Sequence, residues 1–237
     1  MTTIASSVQR AEDEQQVDEF ALSGSGPAEH DDLVEHGRVA ALHSVTSATA
    51  EPAGIDRVRA QRAVTELLLA LGRDPLSPDL VDTPRRVADA FAEQLDPVDF
   101  APTTFANSAR YDDLVLVREI PFHSLCEHHL LPFQGVAHVG YLPGDRLIGL
   151  SKLARAVEYF SHDLQVQERL TRQIADWLER ELTPRGVGIV MQAEHTCMTV
   201  RGVQARGAMT VTSTFTGELK TRAEVREQFF DKTRSTS

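Results

Sequence analysis

The chain has two cysteines, and each stands beside histidine: Cys126-Glu127-His128-His129 in one segment and His195-Thr196-Cys197 in a much later one. Thiolate and imidazole are the ligands zinc prefers. If both clusters serve one metal, any fold must bring two remote segments into contact, which constrains the chain more than any periodicity does. Cys126 and His129 are three apart, so one helical or turn-like segment can aim both inward. His195 and Cys197 are two apart, which on a strand puts both side chains on one face. A metal held by Cys126, His129 and Cys197 keeps a fourth position for water and leaves His128 and His195 to move protons beside it. That arrangement suggests hydrolytic zinc chemistry.

Other uses of the same residues compete. Two cysteines can form a disulfide, but the N-terminus carries no apolar export segment, so a reducing, cytoplasmic setting is expected. A buried thiol beside a core histidine is common for an isolated pair; two such pairs at ligand spacing reverse those odds. A closed structural site needs a fourth ligand, which six other histidines and 35 carboxylates could supply. Iron(II) and manganese are alternatives to zinc at such a set.

With 237 residues, 41% hydrophobic and 25% charged, the chain can bury one ample core. No apolar run approaches the roughly 18 residues of a membrane span. A net charge of −11 argues against a nucleic-acid partner, but residues 1–55 alone hold ten acidic and two basic residues, so the rest carries only −3. Residues 1–54 read as a disordered acidic arm: one aromatic residue (Phe20) and a Ser-Gly-Ser-Gly-Pro stretch offer too little apolar surface to offset ordering entropy. It serves as a solvated arm or as a regulatory, partner-binding segment, and His30, His36 and His43 have no ligand spacing.

The folded domain is expected over 55–237. Ala60, Ala63, Val64, Leu67, Leu68 and Leu71 recur at helical spacing, and Gly72 stops that helix. A second helix opens at Thr83-Pro84, buries Val87, Ala90, Phe91 and Leu95, and ends at Asp96-Pro97, giving a helical hairpin over 55–97. In the 110–232 core, 114–122 and 135–141 read as paired strands. Helices follow from Ser151, burying Leu153, Val157, Phe160 and Leu164, and over 166–182. Strands at 188–195 and 209–217 and a helix at 222–230 complete an α+β order.

Polar handles accompany the metal clusters. Lys152 and Arg155 lie three apart at a helix start, where free N–H groups favour an anion, although two solvated cations on a capped helix is the commoner outcome. Arg201 follows Cys197 closely. Glu168, in the first turn of its helix, either compensates the dipole or accepts two hydrogen bonds from neighbouring N–H groups, the pattern a guanine edge presents.

Taken together, Thr83-Pro84-Arg85-Arg86-Val87-Ala88, Cys126-Glu127-His128-His129-Leu130-Leu131-Pro132-Phe133, Ile148-Gly149-Leu150-Ser151-Lys152, Gln165-Val166-Gln167-Glu168-Arg169-Leu170 and His195-Thr196-Cys197 through Arg201-Gly202 resemble the GTP cyclohydrolase type I family over about residues 55–232. The resemblance implies a tunnelling fold: an antiparallel sheet with helices packed on one face, whose subunit sheets join into a barrel. It implies a homodecamer with active sites between subunits. The implied reaction converts GTP and water to formate and 7,8-dihydroneopterin triphosphate, the first step toward folate- and biopterin-type pterins.

Residue by residue, the resemblance makes Cys126, His129 and Cys197 ligands of one zinc ion per subunit, whose bound water attacks guanine C8. His195 becomes the proton donor to the imidazole ring of the base, His128 its helper, and Ser151 a participant in the later ribose rearrangement. Glu168 reads guanine with support from Gln167. Lys152, Arg155 and Arg201 contact the triphosphate, and Arg86 reaches in from an adjacent subunit. His162-Asp163 departs from the pattern, where relatives often carry basic or proline residues. Rival readings are the nitrile reductase of queuosine synthesis, which resembles this family structurally but uses a cysteine nucleophile and NADPH and no zinc, a zinc- or nucleotide-binding scaffold without turnover, and a paralogue in a specialised pathway.

Overall fold

Two helices begin the computed structural model, which describes residues 54–234; the acidic arm expected over 1–54 lies outside the described residues apart from Gly54. Helix α1 spans Arg57–Ala70, and the Asp56 side chain caps it by accepting a hydrogen bond from the Arg59 N–H at 2.9 Å. Helix α2 spans Thr83–Leu95 with Pro84 in its first turn, where a missing N–H costs nothing. The two helices pack together, and Arg57 reaches Asp89 at 3.1 Å.

Their buried faces differ from the sequence expectation. In α2 the buried stripe is Pro84, Ala88 and Ala92, while Ala90 is exposed and Val87, Phe91 and Leu95 are half-buried. Small residues four apart permit close backbone approach, and the larger ones flank that line. No residue of α1 is buried, and Leu67 and Leu71 are 56% and 64% exposed.

A five-stranded sheet forms the centre, in the order β5-β2-β3-β6-β7. Strands β2 (Val115–Cys126), β3 (Pro132–Leu142), β6 (Gly186–His195) and β7 (Thr210–Phe215) pair antiparallel. A two-residue strand β5 (Leu164–Gln165) runs parallel to the end of β2, with Leu125 opposite Leu164 and Cys126 opposite Gln165. Strands β1 (Thr104–Ala106) and β4 (Arg146–Ile148) make a separate ribbon that the sequence pattern does not announce. Helix α3 (Leu150–Ser161) stops before Leu164, so that residue starts β5 rather than facing the core from the helix. Helix α4 spans Gln167–Leu182.

Alternation along the strands divides the core. Ala137, Val139, Ile189, Met191 and Ala193 face Leu153 and Val157 of α3 and Leu170, Ile174 and Leu178 of α4 in one cluster, all of them 0% exposed. Fully burying one such aliphatic side chain contributes about 1.5–3 kcal/mol. The expectation of helices on one face describes α3 and α4 only. On the other face α6 (Gly217–Thr221) and α7 (Ala223–Thr233) bring Leu219, Val225 and Phe229 against Leu142 and Val190. The register partners Gly140 and Gly188 make room for the Phe229 ring, since a Cβ on either would come within 3.0 Å of it.

This topology gathers three strand ends. Cys126 closes β2, Pro132 opens β3 and His195 closes β6, all at one end of the sheet. Among the described residues, no helix is long and apolar enough to cross a membrane.

Candidate functional site

After Cys126 the chain reverses through a tight turn. Leu130 N–H donates to Cys126 O at 2.8 Å, and Cys126 N–H donates to Leu131 O at 2.9 Å. Leu130 adopts φ +54°, a left-handed conformation that costs a non-glycine residue on the order of 1 kcal/mol. The turn places the His129 Nδ1 3.8 Å and the His128 Nδ1 3.9 Å from the Cys126 Sγ. At the facing strand end, β6 stops at His195 and the chain enters the short helix α5 (Thr196–Thr199). Cys197 therefore reaches the site from a helical turn and not, as its spacing from His195 predicts, from the same strand face. Thr196 Oγ1 secures that turn by donating to Pro132 O at 2.6 Å.

Cys126, His129 and Cys197 converge: one ligand atom from each lies within 4.8 Å of the others. Among the described residues this is the one group of three histidine, cysteine or acidic ligands so placed. Both cysteines are free thiols. Burial, with Cys126 alongside, pushes the Cys197 thiol pKa up, so two thiolates at this spot need a cation to hold them. Two sulfurs and one imidazole suit zinc and leave a coordination position open. The residues present therefore fit the metal that the motifs imply. Arg201 stands against this group, its Nη1 3.4 Å from the His129 Nε2.

His195 borders the cluster from β6. Its ring stacks on its register partner Phe133 with centroids 4.5 Å apart and planes 5° apart, and its Nε2 lies 2.8 Å from the Gln167 Oε1. Burial lowers the His195 pKa, and the nearby Glu168 carboxylate works against that shift. Strand β5 explains why α4 starts here: Glu127 N–H donates to Gln165 O at 3.1 Å, which sets the first turn of α4, with Gln167 and Glu168, beside the Cys126 turn. Glu168 is exposed at that helix start, whereas Gln167, expected to support base reading, is buried.

The remaining expected residues are not gathered. Ser151, Lys152 and Arg155 lie in the first turns of α3, with Ser151 and Arg155 exposed. Lys152 Nζ sits 5.9 Å from the centroid of the Phe100 ring. Arg86 pairs with Asp82 at 3.1 Å on α2. Among the described residues, no hydrogen bond, ion pair or ring contact joins these four to the Cys–His cluster.

Sequence reasoning missed three supporting residues. Phe133 carries the His195 ring. Arg169 holds Glu127, its Nη2 reaching Glu127 Oε2 at 2.6 Å and its Nε reaching Gln165 Oε1 at 3.0 Å, so the turn between Cys126 and His128 is tied to α4. Thr196 pins α5. Phe133, Glu127 and Arg169 all lie inside the quoted motifs, but only their partners, known from the fold, reveal their roles.

A family model described as GTP cyclohydrolase I matches residues 60–234. The GTP cyclohydrolase 1 of Thermobifida fusca is 53% identical over 190 residues, covering 76% of this chain and 91% of that protein. Its counterparts in Mycolicibacterium vanbaalenii and Brucella anthropi are 50% identical over 192 residues and 47% identical over 180. These alignments cover 78% and 74% of this chain and 94% and 84% of the two relatives. Among solved structures, an apo archaeosine synthase QueF-Like aligns over 44% of this chain and 94% of its own, with a TM-score of 0.38 and 13% identity, a likeness too slight to bear on fold or function.

Proposed function

This chain belongs to the GTP cyclohydrolase I family and is an enzyme, and from that premise we propose that it converts GTP and water to formate and 7,8-dihydroneopterin triphosphate. The observation that carries the proposal is the convergence of Cys126, His129 and Cys197 within 4.8 Å, with His195 beside Glu168 at the same end of the sheet. Zinc held by those three ligands would supply a Lewis acid and lower the pKa of a bound water toward about 7.

The chain's own residues divide the remaining work. The Glu168 carboxylate is acceptor-only, so it accepts from the ring N–H and the amino group on the guanine edge and orients the base. His195 delivers a proton to the imidazole ring of the base, and the exposed His128 moves the proton needed as the ring opens and formate leaves. Ser151 serves the later rearrangement of the ribose carbons. Arg201, Lys152 and Arg155 hold the triphosphate, with Arg86 contributing from another subunit.

Helix geometry supports an oligomeric active unit, a homodecamer by family likeness. The C-terminal end of α3 abuts the strand leading to Cys126: His162 packs on His123 at 5.6 Å between ring centroids, and Ser124 Oγ donates to Asp163 O at 3.1 Å. Ser151 opens the same helix, about 15 Å back along its axis at 1.5 Å per residue. That placement favours a second copy as the source of the Ser151 that serves the ribose carbons next to a base bound at Cys126.

The test is formate release from GTP, with pterin fluorescence read after oxidation, before and after chelation. Both products, lost on chelation and regained with zinc, are expected. Neither product from zinc-loaded, assembled protein would overturn the proposal.

A further inference from the structure

The side chain of Gln167 is buried and hydrogen-bonded inside the fold at both ends of its amide. It is 1% exposed, and its Nε2 lies 3.1 Å from each of three oxygens: Met191 O, Thr210 O and Thr212 Oγ1. All three act as acceptors. Two are backbone carbonyls. The third is committed by a chain of hydroxyls: Thr171 Oγ1 donates to Gln167 O at 2.7 Å, so the 2.6 Å contact between the threonines uses the Thr212 proton. Turning the amide end for end would set Oε1 against these lone pairs with no proton between them. The network therefore aims Oε1 at the His195 Nε2, 2.8 Å away.

An amide oxygen only accepts, so that imidazole nitrogen must carry the hydrogen. Stacking on Phe133 fixes the plane of the same ring. We propose that Gln167 is a positioning residue: by accepting from Nε2 it fixes the His195 ring and holds it in the Nε2–H tautomer, leaving Nδ1 as the nitrogen without a hydrogen. Gln167 thus acts through His195 and does not read guanine. The inference rests on the proton-transfer role of His195 proposed above, and it assigns the residue that sets the tautomer and orientation of its ring. Threonines on α4 and β7 and a carbonyl on β6 hold that choice in place, so the tautomer is a property of the packed sheet and helix.

Two measurements on the zinc-loaded full-length protein test this. Gln167→Met keeps the length but offers no acceptor. Its kcat for formate release should fall on the order of 10²-fold or more, the usual share of a positioned proton donor. KM for GTP, zinc content and the preference among GTP, ITP and XTP should stay as in the unaltered protein. A raised KM or an altered base preference with kcat retained would overturn the proposal and return Gln167 to base reading. The second measurement needs no altered Gln167. Imidazole 15N signals of histidine-labelled protein, with His195 identified by its absence in His195→Ala, should give a protonated Nε2 and a bare Nδ1 where the ring is neutral. A protonated Nδ1 would refute the assignment even if Gln167→Met fails to fold. Absence of formate from the unaltered protein would instead fail the broader reaction, leaving the tautomer to be decided by the spectra.

Discussion

Replacing Phe133 by leucine separates what the core does for stability from what it does for the site. Phe133 is 0% exposed, meets Phe122 edge-on at 6.1 Å and stacks on His195 at 4.5 Å. Leucine keeps the site apolar but shrinks it, which costs about 1–2 kcal/mol for the lost burial and residual void. Each forfeited aromatic contact adds about 0.5–1.5 kcal/mol. The expected loss is therefore about 2–5 kcal/mol, read by urea denaturation of zinc-loaded protein at equal subunit concentration, because assembly is linked to stability. The same change frees the His195 ring, so kcat for formate release should fall while KM for GTP holds. Ile174→Val is the control: it trims the same core away from His195 and should cost about 0.5–1.5 kcal/mol with kcat intact. A stability loss under about 0.5 kcal/mol, or equal kcat effects in both variants, would refute the claim that Phe133 orients the ring and is not mere filler.

Three further outcomes are expected. Cys126→Ala or Cys197→Ala leaves two protein ligands and should abolish tight zinc binding together with activity; a full zinc complement after dialysis in either variant would count against the ligand set. Glu168→Gln sets a donor against the guanine donors and should lower kcat/KM by about 10²-fold or more, and near-normal kinetics would place base recognition elsewhere. His138 is 3% exposed, and its Nδ1 accepts from Glu119 N–H at 3.4 Å. Burial pushes its pKa below the usual histidine value, with Glu119 opposing and Arg118 adding to the shift. The unfolded chain then binds the proton more readily, so this stability is intact above about pH 6.5 and is lost as pH falls toward the folded pKa, by at most about 1.4 kcal/mol per pH unit. His138→Leu should flatten that part of the pH–stability curve, and an unchanged acid slope would exclude His138 as its source.

What the sequence made legible follows from how local each feature is. The strands and the helices α3 and α4 carry period-two and period-3.6 patterns because each buries one face on a large core, and their positions are readable to within a few residues. Helices α1 and α2 carry apolar residues at the same spacing, yet Leu67 and Leu71 stay largely exposed within the chain. Periodicity records that a face will be covered, not what covers it. Strand β5 is invisible for a different reason: two residues cannot establish a period, and Leu164 reads equally well as the end of the preceding helix.

The converging Cys–His–Cys group was readable because cysteine and histidine advertise their chemistry by type, so spacing alone made Cys126, His129 and Cys197 candidates. The control of His195 was not, because glutamine advertises nothing. Its meaning depends on which end of a nearly symmetric amide faces the histidine. Acceptors at Met191, Thr210 and Thr212 decide that, and they are remote in sequence and adjacent only through the β6–β7 register. The same logic covers Glu127, whose carboxylate is tied down by Arg169 from across the fold. A motif can therefore name the groups that touch a substrate, while the groups that hold them in the working orientation are specified by strand register and amide chemistry. In this chain the test falls on Gln167, a residue whose motif position suggests base contact and whose hydrogen bonds are all made inside the fold.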